Sequence, residues 1–174
     1  MLLNAAAICI LLFCVLITGT CGGILYFKYC QRKLWNEYYA LLKIKFSLVA
    51  ELIAAVREIY FYETDALRVL TGCVGAFIAA KTPAEAVSAD ARAQAALNNL
   101  EKLLNEKYPS VRDSDGYIYI KTKIMKTDEK IGFASKFYDE SVTKLNAFIN
   151  TVPFGLVAGI FNIRAKTMIK KEIK

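Results

Sequence analysis

Five side chains are of the types that acid–base chemistry uses or supports: Glu63, Glu129, Tyr138, Asp139 and Asn146. Glu63 and Glu129 fall on separate predicted helices. Brought together, two such carboxylates would push their pKa values apart and supply an acid and a base. The same residues have a structural use, because a Tyr or Asn at the edge of a bundle's apolar stripe supplies an internal hydrogen bond that fixes helix register. The chain has no His, which removes the commonest general base at neutral pH and the commonest metal ligand. Its cysteines, Cys9, Cys14, Cys21, Cys30 and Cys73, have no paired spacing and form neither a disulfide framework nor a metal site. Asp113 and Asp115 lie in the turn-forming run Ser110 to Gly116, without the bidentate Glu that a calcium loop requires. No catalytic residue, cofactor or metal is assigned, and the expectation is a protein that is not an enzyme.

The elements that would position these groups begin with Met1 to Phe27, which contains no charged residue. Spanning a bilayer core takes about 20 apolar residues in a helix, and Ala5 to Phe27 supplies them. A cleaved signal peptide would carry a basic leading region and a shorter apolar run; here no Lys or Arg precedes Lys28. The expectation is an uncleaved single-span anchor over residues 1–27. Lys28, Arg32 and Lys33 follow the span directly, and short basic flanks stay on the cytoplasmic side. The first residues then face outward and the body faces the cytoplasm. Trp35, with Tyr38 and Tyr39, is placed near the headgroups. Gly19 and Gly23 make a small-xxx-small pair suited to close helix association.

The body, residues 28–153, reads as helices throughout. From Leu34 to about Lys81 there is no Pro and, before Gly72, no Gly. Its apolar residues recur at three- and four-residue steps from Leu34 through Tyr38, Leu42, Val49, Leu52 and Val56 to Leu67, Leu70 and Val74, which predicts one long helix continuous with the span. Glu51 and Glu58 are expected on its solvated face, pairing with Lys45 and Arg57. Thr82-Pro83-Ala84-Glu85 is a capping box with Pro in the first turn, opening a second helix that runs to about Tyr108. Its apolar residues are Val87, Ala91, Ala95, Leu97, Leu100, Leu103 and Leu104, and Pro109 closes it. Ser110 to Gly116 reads as a loop and Tyr117 to Ile120 as either strand or helix. Ile120, Ile124, Thr127, Ile131, Ala134, Tyr138, Val142, Leu145 and Ile149 form one stripe of a third long helix ending near Pro153.

Residues 154–174 combine a short apolar segment with a basic tail containing Arg164, Lys166, Lys170, Lys171 and Lys174. This tail either lies on an anionic membrane surface, at about 1 kcal/mol per basic group, or is a solvated end. The net charge of +7 suits an anionic partner; beside an anchor that partner is the lipid bilayer, and with no reading motif present nucleic acid is not expected.

The run Trp35, Leu42-Lys43, Leu48-Val49, Leu52-Ile53, Val56-Arg57, Glu63 and Leu67, then Tyr108-Pro109, then Glu129-Lys-Ile-Gly-Phe-Ala-Ser-Lys-Phe-Tyr138-Asp-Glu-Ser-Val142, Asn146, Pro153-Phe, Ala158 and Phe161 resembles the LemA family of bacterial membrane proteins. The family pattern in the third helix is roughly E-x-x-I-x-x-A-R-x-x-Y-N-x-x-V-x-x-x-N. Ser135 stands where the family usually has Arg and Asp139 where it usually has Asn. Upstream, Ala50-Glu51 replaces Pro-Asn and Tyr62 replaces His. The resemblance implies an all-α protein: a transmembrane helix followed by an antiparallel bundle of long helices, on the cytoplasmic side of the bacterial inner membrane. It implies no reaction, although a branch of the family takes part in building magnetosome membranes. The function expected is a membrane-anchored scaffold or adaptor that recruits protein partners or self-associates through helix faces. The alternative is a regulatory partner of a membrane enzyme, or an enzyme with a carboxylate site in the bundle.

Overall fold

The computed structural model describes residues 2–59, 65–151, 155, 159, 165, 166, 168 and 169. The elements are α1 (Leu2–Ile59), α2 (Asp65–Ala79), α3 (Pro83–Lys107), α4 (Pro109–Arg112) and α5 (Asp115–Asn150), with no strand among the described residues. The all-α expectation is met.

Continuity from the apolar stretch into the body also holds, since α1 runs unbroken through residues 2–59. Its further extension to Lys81 does not. The chain leaves α1 at Ile59 and starts α2 at Asp65, whose carboxylate in the first turn suits the positive end of the helix dipole. The residues between, 60–64, lie outside the described residues, and the reversal is shown by the contacts that α2 makes with α1. Three- and four-residue spacing continues across the break, so periodicity alone did not expose it. α2 runs back along α1. Arg57 Nη2 donates to Thr71 Oγ1 at 3.5 Å. Farther along, Phe77 stacks on Phe46, with ring centroids 4.1 Å apart and planes 8° off parallel, and meets Tyr39 at 5.6 Å.

The α3 start is the predicted capping box: Glu85 N donates to Thr82 Oγ1 at 3.3 Å, and Glu85 Oε2 accepts from the backbone N–H of Lys81 at 2.7 Å and of Thr82 at 3.3 Å. The buried face of α3 is Ala86, Ala89, Ala93, Ala96, Leu100 and Leu104. Ala95, expected on that face, is exposed, and Ala91 is only half-buried; the three-or-four step that reaches both leucines passes between them. Pro109 does not begin a plain loop, because Pro109–Arg112 closes one helical turn with Val111 buried. Ser114 follows, its Oγ donating to Val111 O at 2.7 Å and accepting from Tyr117 N at 3.4 Å. This brace lets α5 begin at Asp115, so Gly116 and the ambiguous Tyr117–Ile120 run are helical.

The chain divides into two compact units, one of Met1–Asn36 with Phe137–Met168 and one of Glu37–Lys136 with Ile169–Lys174. In the second unit α1, α2, α3 and α5 bury a core of Val49, Leu52, Val56, Leu67, Leu70, Leu100, Leu104, Tyr117 and Ile124, with Val111 beneath it. Fully burying a leucine is worth about 2 kcal/mol, so this core carries most of that unit's stability. In the first unit Leu145 and Ile149 of α5 pack with Phe27 and Phe148.

The α3 cap yields a pH prediction. Two backbone donors, Lys81 first and Thr82 second, hold the Glu85 carboxyl below its ordinary value of 4.5. A carboxylate depressed by folding stabilises above its unfolded pKa and loses that contribution as pH falls through the lower folded value. Acidification below about pH 4.5 therefore loosens the start of α3. Protection of the Lys81 and Thr82 amides, taken relative to the intrinsic exchange rate at each pH, is expected to fall there, and Glu85→Gln to remove that pH dependence; an acid response unchanged in the variant would count against this account.

Candidate functional site

The most concentrated polar arrangement in the second unit is built around Lys45. α1 places it on the stripe that includes Tyr38, Leu42 and Val49, and its side chain is only 2% exposed. Three oxygens surround the ammonium: Asp90 Oδ1 at 2.7 Å and Gln94 Oε1 at 3.0 Å from α3, and Asp128 Oδ1 at 2.7 Å from α5. Gln94 Oε1 accepts a hydrogen bond from the ammonium, while the two carboxylate oxygens lie at ion-pair distance from it. Asp90 and Gln94 are four residues apart on α3, so one helix face delivers both. With two carboxylates around one cation the cluster has a negative charge in excess, and Asp128 keeps contact with solvent at 29% exposure.

Glu51 and Glu58 are exposed, as expected of solvated-face charge, but Lys45 is not the partner of Glu51 that the spacing allowed. The sequence contained a usable signal, because Lys45 interrupts an apolar stripe at an in-register position and Asp90 and Asp128 adjoin Ala89 and Thr127 on buried faces. A cation so enclosed ties three helices together. Nearby, Lys121 on α5 pairs with Glu101 on α3. Burial, then the Glu101 carboxylate, push the Tyr117 hydroxyl above its ordinary value, against the opposing Arg112 charge. Burial likewise pushes the Cys73 thiol up, against Arg92, which leaves a poor nucleophile.

Among the described residues the candidate acid–base set is divided between the two units. Glu63 lies outside the described residues. Glu129 is exposed in the second unit, while Tyr138, Asp139 and Asn146 belong to the first. Tyr138 meets Trp35 edge-on at 5.8 Å. Asn146 grips the backbone of Lys166 in both directions, Nδ2 donating to its carbonyl at 3.0 Å and Oδ1 accepting from its N–H at 3.0 Å. That is a chain-positioning bond of the structural kind. Ser135, where the sequence departs from its family pattern, donates to Gly132 O at 3.0 Å. Among the described residues no three His, Cys, Asp or Glu converge on a metal position.

Of the residues expected at the membrane, Lys28, Arg32 and Lys33 are exposed and Trp35 is half-buried. Arg164, Lys170, Lys171 and Lys174 lie outside the described residues. At Gly19 a Cβ would meet nothing within 4 Å, whereas at Gly23 it would come within 2.9 Å of the Phe148 ring. Gly23 thus already serves packing within the chain.

A family model described as the LemA family matches residues 34–173. The chain belongs to the LemA family. None of the curated proteins matches it. The matched stretch of this LemA protein contains Lys45, Asp90, Gln94, Asp128, Asn146 and Lys166, and it starts just beyond the basic group Lys28, Arg32 and Lys33.

Two consequences are measurable. Lys45→Met leaves two carboxylates facing each other in the bundle, and breaking a buried pair in this way costs about 3 kcal/mol; chemical denaturation should show it, and Asp90→Asn with Asp128→Asn on that background should recover much of the loss. Asn146→Ala removes both bonds to Lys166, worth about 1 kcal/mol, so limited trypsin digestion should cut after Lys166 roughly fivefold faster. An unchanged cleavage rate would mean that the clamp does not hold that segment.

Proposed function

We propose that this LemA protein is a non-enzymatic, membrane-anchored helical scaffold that organises protein partners or copies of itself at a membrane. The observation that carries this reading is α1, a single helix whose N-terminal part is long and apolar enough to cross a bilayer and whose later residues supply the first wall of the bundle core. An anchor fused without a linker to a packed domain is suited to holding that domain at the membrane surface.

The bundle interior supports the same reading. Among the described residues of the second unit the buried Lys45 is held by Asp90, Gln94 and Asp128, and the partly exposed Lys121 pairs with Glu101. Large apolar side chains remain on the surface of that unit instead: Ile118, Met125 and Phe133 on α5, Val69 and Ile78 on α2. Burial of such side chains is what drives protein association. The basic residues Lys28, Arg32 and Lys33 support an orientation with the bundle on the cytoplasmic side of the bacterial inner membrane. The basic tail is assigned to the same lipid surface.

Extraction of the full-length chain into native nanodiscs, with its mass and co-purifying chains determined together, tests the scaffold reading. Discrete assemblies or a stable second protein are expected, and Phe133→Glu should weaken them by about tenfold or more, the scale of one lost interface anchor. A bare monomer without partners would overturn it.

A further inference from the structure

The first unit contains a cleft of about 250 Å³ between α1 and α5. Phe27 and Leu34 of α1 and Phe137 of α5 supply apolar walls, and Glu140, Ser141 and Lys144 of α5 line it with polar groups. It is smaller than the ~300 Å³ at which drug-sized sites begin, yet large enough for a polar head group.

Its level along α1 points to the occupant. Twenty residues of helix from Ala5 cover about 30 Å, the thickness of a bilayer core, and end near Ile24. The headgroup layer adds roughly 5–8 Å on each side. The α1 part of the cleft, from Tyr26 to Leu34, runs from about 3 Å to about 15 Å past that boundary. Its lower part, by Tyr26 and Phe27, is therefore placed where lipid head groups lie, and its upper part opens just beyond them.

Two buried polar groups of this unit are unpartnered. The Ser141 hydroxyl, which lines the cleft, and the amide of Gln31, a residue 1% exposed, have no hydrogen-bond partner among the described residues. Gln31 sits on the stretch of α1 bracketed by the Phe27–Phe148 and Trp35–Tyr138 ring contacts with α5 and does not itself line the cleft, so the Ser141 hydroxyl is the unpaired group that an occupant would meet. Buried polar groups left unpaired are costly, and a native fold that keeps them generally supplies a partner. The charged groups of the cleft add a constraint. Glu140 and Lys144 are four residues apart on α5, so they share one face of the helix, and neither is ion-paired among the described residues. A purely anionic head would be repelled by Glu140. A head carrying both a phosphate and a primary ammonium satisfies both, the phosphate accepting from Lys144 and the Ser141 hydroxyl, the ammonium donating to Glu140.

From this arrangement we propose that the cleft holds one glycerophospholipid with a zwitterionic primary-amine head, of the phosphatidylethanolamine type, drawn from the leaflet on the Lys28 side. This rests on the anchored reading above, since it needs the cleft at the membrane surface. A phosphatidylcholine head has the same charges but no N–H to give Glu140, and a phosphatidylglycerol head has no cation at all.

The test offers the full-length protein an equimolar mixture of phosphatidylethanolamine, phosphatidylcholine and phosphatidylglycerol in mixed micelles, and counts retained lipids by native mass spectrometry. One retained lipid per chain is expected, with phosphatidylethanolamine preferred over phosphatidylcholine by about fivefold, the scale of one net hydrogen bond. Glu140→Gln should abolish that preference without emptying the cleft, and Lys144→Gln should lower retention of all three; circular dichroism checks that each variant keeps its helicity. Equal retention of the three, a preference for phosphatidylcholine or phosphatidylglycerol, or no retained lipid would overturn the proposal. Flotation of the same protein with vesicles separates the two ideas. A chain that floats but retains no lipid keeps its anchor and loses the lipid site, whereas a chain that does not float overturns the anchored reading and this inference together.

Discussion

The structure of the larger unit depends on the enclosure of one ammonium group. Lys45 has given up nearly all contact with water, and the free energy of that desolvation is offset only because two carboxylates and an amide oxygen from α3 and α5 close on it. Apolar packing is tolerant of small rotations and slides, since leucines and alanines accept many near-equivalent contacts. A buried cation is not tolerant. Slide α3 by one turn relative to α1 and Asp90 and Gln94 both leave, and the ammonium is stranded. The cluster thus selects one alignment among several that the apolar stripes would allow, while the stripes provide the larger part of the stability.

The same division of labour recurs along α1. Its buried positions include Thr20, Ile24 and Gln31 in the first unit and Tyr38, Leu42, Lys45, Val49, Leu52 and Val56 in the second. Polar residues interrupt an otherwise apolar face, and each is handled differently. The Thr20 hydroxyl turns back onto the Leu16 carbonyl at 2.6 Å, a self-contained solution suited to a segment that enters lipid. Lys45 is satisfied by other helices. Gln31 has no partner among the described residues, and it stands in the segment just beyond the apolar stretch. Membership of the LemA family fixes the kinship of residues 34–173 without supplying a reaction.

Much of this was legible in the sequence, for physical reasons that differ by element. The uncharged run before Lys28 and the Thr82–Glu85 capping box are local signals, in which a few neighbouring residues determine the structure, and both survive intact in α1 and α3. The α5 stripe was readable because thirty-odd residues of consistent spacing average out individual exceptions. The reversal between α1 and α2 was hidden because the apolar spacing of Val56 carries on into Leu67 and Leu70, and periodicity does not tell a continued helix from one folded back on itself. Lys45 was misassigned because charge on a helix is ordinarily solvated, and its partners are far away in the chain. Of the candidate acid–base residues, Asn146 proved to hold backbone, a use that sequence spacing cannot distinguish from chemistry.

The distance along the chain between Lys45 and its partners also orders events during synthesis. Gln94 follows Lys45 by 49 residues, and Asp128 comes later still. α1 is therefore made, and α2 can fold back along it, before the α3 and α5 groups that enclose the cation exist. Long-range closure of this kind is slow compared with helix formation, so for that interval the Lys45 ammonium stands without the oxygens that later enclose it. A charge in the middle of an apolar stripe is then useful for a reason unrelated to the finished fold: it keeps the waiting helix hydrated and discourages premature association of that face. Completion comes when α5 supplies Asp128, and the last ligand to the cation marks the close of the bundle.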